Sequence, residues 1–131
     1  MTHVLIVDDR KAGRKSLKML LELNGYRVTA ADGGGEALAA ARGDRPDVIV
    51  ADVHMPNMDG FALCHAWMQD VELSVIPFIF YTAHLTSGED EHVAMVLGAA
   101  RYLIKPMAAE VFLRELRTVL LERAGHSRSQ T

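Results

Sequence analysis

The chain has 131 residues, half of them hydrophobic and 24% charged, which is enough for one domain with a full core and ordinary for a globular protein. Its 14 Lys plus Arg against 17 Asp plus Glu leave a formal charge of −3, which gives no electrostatic case for binding nucleic acid. The single cysteine, Cys64, excludes an internal disulfide, and no apolar run nears the roughly 20 residues of a membrane span.

In chain order, residues 3–7 form a short apolar run that reads as a strand and ends in Asp8-Asp9. Acids arrive too early in MTHVLIVDD for a signal peptide, so a soluble, cytoplasmic protein is expected. Leu17, Leu20 and Leu21, followed by Asn24-Gly25, predict a helix over 10–24 with a glycine stop. A second strand is predicted over 26–30, and it ends in the plain turn Ala31-Asp32-Gly33. The alanine-rich stretch 36–42 predicts a helix ended by Gly43.

Residues 47–51 read as a third strand ending abruptly in Asp52. Phe61, Cys64, His65 and Met68 lie at helical spacing after Gly60, with Trp67 expected partly exposed on that helix. A fourth strand over 76–81 leads to Thr82, and a helix over 89–97 stops at Gly98. The fifth strand, 101–104, leads to Lys105-Pro106, and Phe112, Leu116, Val119 and Leu120 mark the last helix. The small, polar end of the chain predicts a domain over 1–122 and a flexible tail over 123–131.

Strand and helix alternate five times, and several strands are almost wholly apolar instead of alternating. Burial on both faces is implied, hence a doubly wound α/β fold around a parallel sheet. Such sheets bind ligands outside the carboxyl ends of their strands. Asp8, Asp9, Asp52, Thr82 and Lys105 would all meet on that rim. Two unit charges about 4 Å apart repel by roughly 4 kcal/mol at an effective dielectric of 20, so clustered acids need cations. Lys105 can offset one charge. A Mg²⁺ ion held through one or two carboxylates and several waters offsets more, and Asp52 could then serve as a nucleophile toward a phosphoryl group.

On four motifs the sequence resembles the receiver domain of two-component response regulators, over about residues 3 to 122. They are VLIVDD, ADVHMPNMDG around Asp52, YTA with Thr82, and GAARYLIKP with Tyr102 and Lys105. The resemblance implies a five-stranded flavodoxin-like sheet in the order 2-1-3-4-5. It implies a signalling phosphoacceptor that catalyses only its own phosphorylation and dephosphorylation, with Asp52 modified by a histidine kinase, a phosphotransfer protein or acetyl phosphate. In the Mg²⁺ site Asp9 becomes a direct ligand and Asp8 a partner through water, with the backbone carbonyl of His54 and a carboxylate oxygen of Asp52 completing the protein's share. Thr82 and Lys105 become partners of the phosphoryl oxygens, and Ala83 the small residue that leaves room. The Lys105–Pro106 bond should be cis. Thr82 and Tyr102 become a switch coupling Asp52 to the surface of helix four, strand five and helix five.

Two departures carry expectations of their own. ADGGGEAL holds one residue more than the family's usual turn, so the second helix should start late or follow a looser loop. The segment from Thr82 to Lys105 is also one residue longer, around HLTSGEDE, and His54 and His84 sit where the family tunes phosphate lifetime.

Plainer readings stand beside these. The acid pair could cap the first helix, and Lys105 could be a solvated loop lysine. His3, His54, His65, His84, His92 and His126 show no paired zinc-ligand spacing. The run Gly33-Gly34-Gly35 reads as a turn and not a phosphate cradle, and Met55, Met58, Met68, Met95 and Met107 read as core fillers. Three function classes remain open: a phosphorylatable receiver, a receiver-like interaction module, and a phosphatase of the haloacid-dehalogenase type. The last wants an acid two residues after the nucleophile, where this chain has His54. The cognate kinase, the downstream effector, homodimerisation, and whether the domain acts alone or within a larger protein are not legible.

Overall fold

Alternating strands and helices form β1 (His3–Val7), α1 (Lys11–Leu23), β2 (Arg27–Ala31), α2 (Gly34–Gly43), β3 (Val48–Ala51), α3 (Gly60–Gln69), β4 (Phe78–Thr82), α4 (Gly88–Leu97), β5 (Arg101–Ile104) and α5 (Ala109–Ser129). The computed structural model describes residues 1–83 and 88–129. All four strand pairings are parallel, and the sheet order is β2-β1-β3-β4-β5, as the resemblance implies.

Two cores follow from the two-residue period of the strands. Leu5, Val7, Ile49, Ala51, Phe78 and Phe80 point to one face and pack with α2, α3 and Ala94 of α4. Val4, Ile6, Val48, Val50, Ile79 and Leu103 point to the other, toward Leu21 of α1 and Phe112, Leu116 and Val119 of α5. Near-continuous apolar strands are the consequence of covering both faces.

Strand edges shift by a residue or two from the sequence reading, for identifiable reasons. The Tyr26 N–H donates to Leu21 O at 3.1 Å, closing α1 around Gly25 (φ +88°), so β2 begins at Arg27. The Ile76 N–H donates to Leu73 O, and Pro77 has no N–H to give, so β4 begins at Phe78 and takes in Thr82.

Three expectations are corrected. The second helix does not start late: Gly33 accepts from the Ala37 N–H at 3.0 Å and α2 begins at Gly34. A Cβ on Gly34 would lie 2.5 Å from Met58 Sδ, so a glycine here serves close packing. Trp67 is fully buried, its indole N–H donating to Ile76 O at 3.1 Å and its ring edge-on to Phe78. Met55, Met58, Met68 and Met107 do pack into the cores, but Met95 is exposed. The last helix, α5, runs to Ser129, and Arg123 within it donates to the Asp47 carbonyl at 2.7 Å. The expectations on His84 and on residues 84–87 lie outside the described residues.

Candidate phosphoacceptor site

Parallel pairing continues one residue beyond the strands and sets the acids in place. The Asp8 N–H donates to Ala31 O at 3.2 Å and the Asp52 N–H to Val7 O at 3.0 Å. Ile6, Val50, Ile79 and Arg101 pair across β1, β3, β4 and β5 as one row. Two residues on, the next row along the same face reads Asp8, Asp52, Tyr81, Leu103. Lys105 is two beyond Leu103 and has its own N–H bonded to Thr82 O at 2.8 Å. Both acids and the lysine therefore share the side of the sheet covered by α1 and α5.

The ammonium of Lys105 bridges the two acids, with Nζ 3.0 Å from Asp8 Oδ2 and 3.3 Å from Asp52 Oδ2. Side-chain exposure is 11% for Asp8, 8% for Asp52 and 23% for Lys105, so the cluster is largely out of water but open on the lysine's side. The remaining oxygens are also used. Asp8 Oδ1 accepts from the Arg10 N–H at 2.9 Å, and Asp52 Oδ1 from the His54 N–H at 3.2 Å. Among the described residues no buried side-chain polar atom lacks a partner.

The plain readings of these residues fail on geometry. Arg10 occupies the N-cap of α1 with no side-chain capping bond, so neither acid caps that helix. Lys105 is not a free loop lysine, since both its acidic partners are buried. Thr82 is fully buried, and with Ala83, Arg10 and His54 it lines a concavity that Asp52 also lines. Asp9, in contrast, is exposed and lines an adjoining concavity with His54 and Asp59. The Lys105–Pro106 bond is cis. Tyr102 is half-buried against Phe80, ring centroids 6.1 Å apart, on the face that Thr82 shares.

Asp52 is held by a close approach behind it. The Gly60 N–H donates to Val53 O at 2.7 Å, and a Cβ at Gly60 would fall 2.2 Å from the Asp52 carbonyl oxygen. Asp59 caps α3 through a 2.8 Å bond from the Ala62 N–H. Together these fix the loop between β3 and α3.

Among the described residues no three His, Cys, Asp or Glu side chains stand close enough to enclose a metal ion by themselves. The donor set is all oxygen, with two buried carboxylates and Asp9 beside them. That suits a hard ion which keeps most of its waters, and it does not suit zinc.

Two residues escaped the sequence reading. Arg14 donates to the Asp8 carbonyl at 2.8 Å, pinning the β1–α1 loop. Tyr81 lies with its ring centroid 5.2 Å from Lys105 Nζ. Burial raises its phenol above the usual value, opposed by the Lys105 charge and the Met107 backbone. The spacing of Arg14 on α1 offered a faint signal. Tyr81 offered only its place one residue before Thr82.

Fold and pocket define a doubly wound domain that presents one carboxylate, beside a lysine, at the end of its central strand. The chain belongs to the response regulator receiver domain family, whose description matches residues 4–117. It is 36% identical to protein PilH of Pseudomonas aeruginosa over 120 residues, 92% of this chain and 98% of that protein. It is 38% identical to response regulator MprA of Mycolicibacterium vanbaalenii over 118 residues, 90% of this chain and 50% of that one. The chain thus spans nearly all of the first relative and half of the second. Among solved structures, the chemotaxis protein CheY4 of Vibrio cholerae superposes with a TM-score of 0.86 at 37% identity, covering 91% of this chain and 98% of that one. A CheY-like receiver domain of Methanospirillum hungatei gives 0.89 at 28%, covering 96% and 98%. No helix among the described residues is long and apolar enough to cross a membrane.

Proposed function

We propose that Asp52 accepts a phosphoryl group from the phosphohistidine of a histidine kinase or phosphotransfer protein, and from small donors such as acetyl phosphate. The observation that carries this reading is the Lys105 ammonium shared by two buried carboxylates at 3.0 and 3.3 Å. A carboxylate oxygen of Asp52 bonds to phosphorus as the donor's P–N or P–O bond breaks. The electron pair leaves with imidazole or acetate. Transfer of this kind needs positioning and charge neutralisation more than covalent chemistry.

Lys105 neutralises charge on the attacking side and is placed to follow a phosphoryl oxygen after transfer. Thr82, from its seat in the same concavity, donates its hydroxyl to another such oxygen, and Ala83 leaves the space. Asp8, Asp9, Asp52 and the His54 backbone carbonyl would hold Mg²⁺, which when bound screens the charge between acceptor and donor. Thr82 and Tyr102 lie on the α4 side of β4 and β5, which supports a coupling between Asp52 and the α4–β5–α5 surface. That surface would meet the downstream effector. The unit doing this is residues 1–122.

Intact-protein mass spectrometry after incubation with acetyl phosphate and Mg²⁺ tests the reading. One acid-labile phosphoryl group is expected, slowed by chelating the ion and abolished by Asp52→Asn. Wild-type protein left unmodified by saturating donor would instead make this a receiver-like interaction module.

A further inference from the structure

We propose that Tyr81 is a positioning residue for Lys105, its ring face holding the ammonium in line between Asp8 and Asp52. The inference rests on the phosphoacceptor reading and deepens it. Lys105 Nζ is 5.2 Å from the ring centroid, inside the ~6 Å over which an aromatic face attracts a cation. This contact follows from topology, because Tyr81 is the β4 member of the row that continues Asp8 and Asp52 across the sheet.

A lysine head on a flexible four-carbon stem is poorly constrained by its two carboxylate partners alone. At 23% exposure its side chain can still swing toward solvent. The Tyr81 ring gives it a third contact and is itself fixed, since Phe112 of α5 packs on it with centroids 4.7 Å apart and planes 30° from parallel. The phenol stays protonated at neutral pH, so the ammonium meets a ring face and not a third anion. If Tyr81 were only a filler between β4 and α5, leucine would serve equally well.

Tyr81→Phe keeps the ring and Tyr81→Leu removes it. Two quantities are read on each folded variant: the initial rate of phosphoryl gain from acetyl phosphate with Mg²⁺, and the NMR shift of the Lys105 ε-methylene. Tyr81→Phe should stay within about twofold of the wild-type rate and keep the upfield ring-current shift, while Tyr81→Leu should be roughly three- to tenfold slower and lose it. A wild-type rate in Tyr81→Leu overturns the proposal. So does a Tyr81→Phe variant as slow as Tyr81→Leu, which would move the role to the hydroxyl. Should Tyr81→Leu fail to fold, a Lys105 ε-methylene at its random-coil shift in wild-type protein overturns it as surely. If wild-type protein takes no phosphoryl group, the phosphoacceptor reading has failed, and the NMR arm alone still decides whether the ring holds the ammonium.

Discussion

Replacing Lys105 by methionine keeps the stem and deletes the charge, leaving Asp8 and Asp52 buried side by side with no cation between them. Breaking a buried ion pair from one side typically costs about 3–5 kcal/mol. Here the lysine is 23% exposed and water can reach the acids from its side, so the discounted expectation is about 2 kcal/mol. For a chain of this size that corresponds to a fall in Tm of roughly 6–10 °C. The same logic predicts a rescue. Asp52→Asn removes one of the two stranded charges, so in the Lys105→Met background it should restore about 1 kcal/mol or more, whereas in wild type it removes a partner of the ammonium. Urea unfolding of all four proteins at neutral pH, with chelator present so that no divalent ion replaces the ammonium, closes the cycle. If Lys105→Met lies within about 0.5 kcal/mol of wild type, the bridging ammonium does not stabilise the fold. The reasoning fails equally if Asp52→Asn has the same effect with and without Lys105.

Three further outcomes are expected. Gly60→Ala must push back the Asp52 carbonyl, so it should destabilise by about 2 kcal/mol or more and slow phosphoryl gain, read by urea unfolding and mass spectrometry. The Asp44 carboxyl is held below its usual value by its hydrogen bond from Arg27, so its folded pKa is depressed. Its contribution is complete above the unfolded value and is lost as pH falls through the folded one. Wild type and Arg27→Ala should therefore differ in unfolding midpoint at neutral pH and converge in strong acid, by a margin that shrinks with salt. Burial pushes the Cys64 thiol up to about 12, so at pH 8 it should react with a thiol reagent only once the protein is unfolded.

Much of the fold was readable because apolar runs such as Val48–Ala51 are too short and too continuous for anything but buried strands. The acids were readable for the converse reason, since a carboxylate ending such a run must have company. Errors arose where a distant partner outvoted local composition. Trp67, on a helix that also carries the polar His65 and Gln69, read as partly exposed, yet the Ile76 carbonyl nine residues on takes its N–H. The extra residue in ADGGGEAL implied a late start or a looser loop for α2, because Met58 packing over Gly34 cannot be inferred from spacing. Within the site, Asp8, Asp52 and Lys105 are brought together and Thr82 stands beside them, while the ring of Tyr81 was silent. A cross-sheet neighbour declares itself only once the register is known.

The position of β3 has one more consequence. With the order β2-β1-β3-β4-β5, it is the middle strand, hydrogen-bonded along both edges, whereas β5 is a border strand bonded along one. Amide exchange should consequently be slowest around Val50 and faster around Leu103, since opening the middle demands opening the whole. Of the pocket's two sides, the one that carries Asp52 is therefore expected to open last and the one that carries Lys105 first.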